Sequence, residues 1–218
     1  MAEKDLYILY GSQTGNGEDI AKSISELCNN LGYVHKLSTL NNVKKTPLKD
    51  LARAIVIVCS TTGNGDAPEN AEAFWREIKK RAASKELFLD VPYAVLGLGD
   101  TNYDKFCHMG KSIDKRLSEL GGKRCLPLAC ADEPTNFEEI VEQFKKDIMV
   151  ALKPIMCAPD KSTKCSIDKC DTVTEMGTVP SCVDTSLLCS QATQNVHSIL
   201  PEGSQSILQI CSVLGVKE

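Results

Sequence analysis

The chain has 218 residues, 42% of them apolar and 25% charged, with a formal net charge of −4. That length suits one ordinary domain and a remainder rather than two full domains, and the composition is that of a soluble globular protein. Mild acidity, with lysine and arginine mixed among the acids, argues against nucleic acid as the main partner, and no run approaches the roughly 20 apolar residues that cross a bilayer.

The N-terminal MAEKDLYILYG places acids before a short apolar run without a small-residue cleavage site, so a soluble, cytoplasmic protein without a membrane partner is expected. Cysteine is abundant, at 11 residues. Cys28, Cys59, Cys107, Cys125 and Cys130 precede residue 150; Cys157, Cys165, Cys170, Cys182, Cys189 and Cys211 follow it. An odd, scattered set without a C-x-x-C or zinc-type spacing predicts reduced thiols, not a disulfide framework or a metal site. Cys28, Cys59 and Cys107 are expected in or near the core.

Residues 5–10, DLYILY, form an apolar run ended by glycine and serine, which predicts a buried strand. From Gly17 the pattern turns helical, with Ile20, Ala21, Ile24, Leu27, Cys28 and Leu31 on one face and Gly32 as the stop. YVHKLS (33–38) predicts a second strand, and the stretch to Asp50 is polar and broken by Pro47. RAIVIVCS (53–60) is strongly hydrophobic and β-branched, as suits a strand buried on both faces. The turn STTGNGDAPEN follows, and Pro68 is placed to open a helix through EAFWREIKKRA. VPYAVLGLG (91–99) predicts a fourth strand leading into DTNYDKFC. KSIDKRLSELGG (111–122) is an amphipathic helix with a glycine stop, and KRCLPLAC (123–130) a weaker fifth strand. ADEPTN is a loop, and FEEIVEQFKKDIMVALK (137–153) a last helix with Asn136 as its N-cap. The domain is expected over 1–153. Beyond it, 154–218 is rich in serine, threonine, lysine and aspartate without sustained periodicity, and is expected to be a mostly disordered linker or tail.

Strands and helices thus alternate, which predicts an α/β fold with a parallel sheet covered on both sides. Ligands of such sheets bind beyond the carboxyl ends of the strands. The loops at 11–17, 61–68 and 98–107 all follow strands, so they should gather on one edge.

The first loop, GSQTGNG, has no lysine and so is not a P-loop. Its order G-x-x-x-G-x-G also departs from the dinucleotide fingerprint, and no acid follows the second strand. What remains is the pair of hydroxyls on Ser12 and Thr14 and the amides of Gln13, Gly15 and Asn16 at a helix N-terminus. Neutral donors and the helix dipole could hold a phosphate monoester there. The same residues would also make a plain N-cap with a Ser/Thr-rich turn.

SQTGN after a first strand resembles the phosphate loop of flavodoxins and of the flavodoxin-like domain of diflavin reductases. STTGNGDAPENAEAF resembles the second flavin loop of that family, and LGLGDTNYDKFCHMGKSIDKRLSELGGKR the third. The match spans residues 5–150. Among diflavin enzymes, STTGNGD and LGDTNYDKFC are most similar to the methionine synthase reductases. The resemblance implies a flavodoxin-like, doubly wound sheet of five parallel strands in the order 2-1-3-4-5, and flavin mononucleotide (FMN) as cofactor. It implies a phosphate on Ser12, Gln13, Thr14, Gly15 and Asn16. The isoalloxazine would lie between Thr61, Thr62, Gly63, Asn64 and Gly65 on one side and Leu98, Gly99, Asp100, Tyr103, Phe106 and Cys107 on the other. Tyr103 would stack on the ring, with a helix-capping aromatic as the alternative; Phe106 and Cys107 would pack below the ring or present backbone to it, and Gly97 and Gly99 would let the chain approach it.

The family also carries a peptide that turns over when the flavin gains an electron, and Gly63 is the candidate because the turn needs positive φ. An ordinary Asn-Gly turn is the alternative. Many relatives have an aromatic residue where this chain has Thr62, so one face of the ring would lack a cover. Asp132, matching an acid near the flavin edge, is expected to join Asp66 and Asp100 in a negative rim that steers a basic partner. Solvated loop carboxylates are the alternative. No residue set reads as a catalytic nucleophile. His35, His108 and His197 are isolated, Trp75 reads as packing, and Lys79, Lys80 and Arg81 as a solvated helix end.

By resemblance, NADPH reduces FAD in a separate reductase domain, which reduces the FMN here, which in turn passes single electrons to a protein acceptor, methionine synthase. Nothing like a second flavin fold follows residue 154, so the chain alone is not expected to oxidise NADPH. A free-standing electron carrier and a flavin-free binding module are the competing readings.

Overall fold

The structure, a computed structural model, describes residues 4–158. The tail expected over 154–218 therefore falls outside the described residues from 159 onward. In chain order the elements are β1 (Asp5–Gly11), α1 (Asn16–Asn30), β2 (His35–Thr39), a 3-10 turn (Leu40–Val43), α2 (Leu48–Leu51), β3 (Ala52–Ser60), α3 (Glu69–Ile78), β4 (Pro92–Gly99), α4 (His108–Glu119), β5 (Lys123–Arg124), β6 (Ala129–Asp132) and α5 (Phe137–Cys157).

All pairings between named strands are parallel, in the order β2-β1-β3-β4-β5, with β6 also on β4. The expected single fifth strand is two pieces. Lys123 and Arg124 pair with Pro92 and Tyr93, and Ala129–Asp132 pair with Leu96–Gly99. Between them stands Pro127, which has no N–H to give a ladder. The expected order 2-1-3-4-5 holds, with the fifth position filled by β5 and β6 in turn along β4.

Alternation sorts the core. Ala54, Val56 and Val58 of β3 face a cluster with Ile20, Ile24, Val141 and Phe144 of α1 and α5. Ile55, Ile57 and Cys59 face the opposite cluster, with Phe74, Ile78, Met109 and Ile113 of α3 and α4. Successive side chains of a strand point to opposite faces, so covering both faces demands an unbroken apolar run. Cys28, Cys59 and Cys107 are buried, as expected. Leu27 and Leu31, expected on the buried face of α1, are exposed. Leu27 lies at the margin of the stripe through Ile20, Ala21, Ile24 and Cys28, and Leu31 follows the last helical residue.

Helix ends differ from the sequence pattern for local reasons. The 40–51 stretch holds a 3-10 turn and a short helix, anchored by buried Leu40, Val43 and Leu48. α3 stops at Ile78, where the Arg116 Nε donates to the Ile78 carbonyl at 2.7 Å. α4 starts three residues early because Cys107, at φ 51, turns the chain into it. α5 runs through Pro154 to Cys157. The proline deprives the Val150 carbonyl of its helical donor, but Val150 is 74% exposed. At the end of the helix Arg53 donates from Nε to the Ile155 carbonyl at 2.9 Å and from Nη2 to the Ala158 carbonyl, serving orphan acceptors of the last turn.

Candidate functional site

The loops after β1, β3 and β4 meet at one edge of the sheet, around a cleft of about 410 Å³. That volume falls within the roughly 300–1,000 Å³ of small-molecule sites. Gln13, Thr14 and Asn16 line it from the first loop, Thr61, Thr62 and Gly63 from the second, and Leu98, Gly99, Asp100 and Tyr103 from the third. Ser60, Lys105, Glu133 and Phe137 complete the wall.

The first loop divides its donors. Ser12 Oγ accepts from the amides of Gly15 and Gly17, both at 3.1 Å, and the Ser12 amide donates to Asn70 Oδ1 at 2.9 Å. Ser12 therefore holds the loop and does not reach the cleft, and the Gly15 amide is spent on it. Gly15 sits at φ 103 and turns the chain into α1. Among the described residues, no protein hydrogen bond engages the amides of Gln13, Thr14 and Asn16. These three residues stand at a helix N-terminus and line the cleft. Glu18 and Asp19, the acids of the first turn, both pair with Lys22, at 2.8 and 3.6 Å. An anion here would meet neutral donors and the positive end of a helix dipole.

The second loop closes on itself. The Thr62 amide donates to the Asp66 carbonyl at 3.0 Å, the Asp66 amide returns to the Thr62 carbonyl at 2.8 Å, and Thr62 Oγ1 donates to the Asp66 carbonyl at 3.1 Å. Gly63 has φ 49, in the left-handed region, and a Cβ there would meet only Asp66 Oδ2 at 3.8 Å. Asn64 is exposed but does not line the cleft. Gly65 is buried against Lys105 and His108, where a Cβ would come within 3.1 and 3.2 Å. It joins the second loop to the third and does not face the cleft.

The third loop carries the aromatic expected of it. Tyr103 lines the cleft at 66% exposure, held by its amide donating to the Asp100 carbonyl at 3.2 Å. Asp100 Oδ1 accepts from the Asn102 amide at 2.7 Å. Three expectations need correction here. Phe106 does not face the cleft; its ring lies where a Gly99 Cβ would come within 3.1 Å, with Lys111 Nζ 4.8 Å from the ring centroid. Cys107 is buried beneath β4. Gly97 makes room for protein and not for a ligand, and Gly99, which lines the cleft, makes room for protein on its other side: a Gly99 Cβ would fall 2.6 Å from the Cys107 amide, and a Gly110 Cβ 2.6 Å from the Gly97 Cα.

Asp132 also has a different role. It is buried, and its carboxylate accepts from the Thr101 amide at 2.8 Å, Thr101 Oγ1 at 2.9 Å and Thr135 Oγ1 at 2.8 Å. Burial alone would raise its pKa, but these bonds hold it below the usual carboxylate range. It clamps the third loop to the loop after β6. Asp66 is exposed and lies off the cleft, so the acids at the rim are Asp100 and Glu133, with Lys105 as the cation beside them. The sequence reading missed Glu133 and Phe137. Glu133 belongs to the loop after the last strand and Phe137 opens the helix that follows it, a connection the carboxyl-end rule would have included. His35 is a packing residue, with Nε2 2.6 Å from Ser25 Oγ and Nδ1 2.9 Å from the Tyr33 carbonyl.

A family model described as Flavodoxin matches residues 8–146. The sulfite reductase (NADPH) flavoprotein alpha-component of Shewanella sp. (strain MR-7) is 39% identical over 157 residues, which are 71% of this chain and 25% of that protein. Methionine synthase reductase of Bos taurus is 38% identical over 146 residues, 67% of this chain and 21% of that protein. The chain thus matches about a quarter of the length of these relatives. Among solved structures, a cysteine-to-alanine mutant of flavodoxin from Pseudomonas aeruginosa aligns with a TM-score of 0.56 and 29% identity, over 68% of this chain and 99% of that one.

Proposed function

The chain belongs to the flavodoxin family, and on that premise we propose that its cleft holds FMN for electron transfer between protein partners. Bound FMN supplies the ability to take up and release electrons one at a time, which no protein side chain in the cleft offers. The observation that carries the reading is the set of unengaged amides on Gln13, Thr14 and Asn16, opening into a cleft walled by all three loops.

The chain's own residues do the binding and tuning. The three amides and the Thr14 hydroxyl hold the phosphate, and the α1 dipole stands in for an absent cation. Tyr103 would cover one face of the ring, and Thr62 would border the other without covering it. Gly63, already at positive φ, supplies a peptide free to turn its carbonyl toward the ring edge. Asp100 and Glu133 make the rim acidic, which favours a basic partner surface.

The relatives support a place in a diflavin relay: a reductase domain carrying FAD and oxidising NADPH as donor, and a protein acceptor. Methionine synthase is the acceptor we propose, in the cytoplasm. A free-standing carrier is the second reading, favoured by the alignment over 99% of a flavodoxin chain. The test is to titrate the purified protein with FMN and follow quenching of flavin fluorescence. Saturable binding is expected; a protein that stays colourless after FMN addition and gel filtration overturns the proposal. Transfer from the loaded protein to methionine synthase, against a sulfite-reducing protein as rival acceptor, separates the partner assignments.

A further inference from the structure

Cys107 and Cys130 come together behind the cleft. Cys130 of β6 is the register partner of Gly97 on β4. Paired residues of neighbouring parallel strands point to the same face, so the Cys130 side chain lies on the face that bears Tyr93 and Val95, the α3 and α4 face. Gly97 has no side chain there, and Cys107 fills the space: a Cβ on Gly97 would lie 3.3 Å from Cys107 Cβ and 3.6 Å from its Sγ. Both cysteines therefore lie against Gly97, on the same face of the sheet. The Cys107 thiol donates at 3.7 Å to the carbonyl of Ala131, the residue next to Cys130.

The two thiols differ in access. Cys107 is fully buried, whereas Cys130 is part-exposed on a strand whose named partner is β4. They also differ in charge. The neighbouring Cys107 thiol and the Lys111 ammonium favour the Cys130 thiolate, against burial and Asp114. Cys107 is pushed the other way by the neighbouring Cys130, burial and Asp132. By contrast, burial alone pushes Cys28 up to about 11 and Cys59 up to about 12. A part-exposed thiolate with a thiol beside it is the arrangement of an attacking and a resolving cysteine.

We propose that Cys130 and Cys107 form a redox-active dithiol, oxidised to an intramolecular disulfide by low-molecular-weight disulfides. The Cys130 thiolate attacks one sulfur of R–S–S–R, making a Cys130–S–S–R bond and releasing RS⁻. Cys107 sulfur then attacks Cys130 Sγ, forming the Cys107–Cys130 bond and releasing the second RS⁻. The two thiol protons of the protein go to the two released thiolates. The protein loses two electrons and R–S–S–R gains them. Because Cys107 closes the third cleft loop and opens α4, the bond would tie that loop to β6.

The test treats the full chain with oxidised glutathione, then blocks remaining thiols with iodoacetamide and maps peptides by mass. A dithiothreitol-reversible peptide pair joining Cys107 to Cys130, lighter by about 2 Da than the two thiol peptides, is expected. In Cys107→Ser, Cys130 should instead retain glutathione. Cys107→Ala repeats the measurement should the serine variant fail to fold. An unmodified Cys130 in the parent protein, Cys130 glutathionylated without linkage, or Cys130 joined to a cysteine beyond residue 158 would each overturn the proposal.

Discussion

Gly110→Ala sets two effects of known size against each other. Gly110 lies in the first turn of α4, and on helix propensity alone alanine should stabilise the protein by about 1 kcal/mol. The new Cβ, however, would fall 2.6 Å from the Gly97 Cα and 3.2 Å from its amide nitrogen. Carbon atoms prefer roughly 3.5–4.0 Å, so helix and strand must part by about 1 Å. No rotamer change relieves a contact between a Cβ and backbone. Gly97 cannot retreat within the sheet, since it is paired with Cys59 on one side and Cys130 on the other. Overpacking of this kind costs about 1–3 kcal/mol. The clash should win, with a net destabilisation of up to about 2 kcal/mol. Urea unfolding followed by circular dichroism measures it. The shift of α4 should also reach the cleft, because Cys107 packs on Gly99 at the other end of the same contact. FMN affinity should therefore fall together with the urea midpoint. A variant as stable as the parent, with unchanged affinity, would refute the claim that these glycines set the spacing of strand and helix.

Thr14→Ala removes an exposed hydroxyl with no protein partner among the described residues, so it should leave the urea midpoint in place while weakening FMN binding by about 1–3 kcal/mol, read by fluorescence titration. Ser12→Ala should do the reverse in part: it frees the Gly15 and Gly17 amides and costs about 1 kcal/mol of stability even without FMN, measured by the same urea curve. Gly63→Val should narrow the gap between the two one-electron midpoint potentials of the FMN-loaded protein more than it lowers FMN affinity; spectroelectrochemistry gives the first and titration the second, and an unchanged gap places the turning peptide elsewhere. Asp132 has a folded pKa held below its unfolded value, so its stabilisation is present above about pH 4 and is lost as pH falls through the lower folded value. The stability lead of the parent over Asp132→Asn should therefore be full at about pH 7 and shrink toward about pH 3, and a lead that does not change with pH would remove the clamp.

The legible parts of this fold were those that chemistry forces at short range. β1, β3 and β4 read as strands because both faces are buried, and their exit loops fall on one edge because all three run parallel. Pro127 was visible but its effect was not: a proline breaks a ladder only where a neighbour needs the N–H, and that depends on register with β4. The short helices over 40–51 were hidden because three buried side chains fix them, not periodicity. The helix past Pro154 depended on Arg53, 102 residues away from Ile155 along the chain.

Some loop residues were given the wrong role for a related reason, although Gln13, Thr14, Thr62, Gly63 and Tyr103 do line the cleft. A polar residue in a binding loop can either face the ligand or hold the loop, and the two look alike in a string of letters. Ser12 and Thr14 differ by two positions and a methyl group, yet one binds its own loop and the other opens to the cleft. Asp132 and Glu133 are adjacent acids; alternation turns the first inward to Thr101 and Thr135 and leaves the second on the wall. The glycines divide likewise: Gly63 keeps open space around a positive φ, while Gly97, Gly99 and Gly110 are small because backbone lies against them. The division has a thermodynamic consequence. Residues that hold the loops act on the protein without cofactor, whereas residues that face the cleft act only on the difference between free and loaded protein. A variant that leaves the unfolding midpoint of the free protein in place but lowers the gain on adding FMN thus identifies a contact residue, and one that lowers both midpoints equally identifies a scaffold residue. Measured across Ser12, Thr14, Tyr103, Asp132 and Glu133, the two classes should separate as the geometry divides them, with Ser12 and Asp132 in the second.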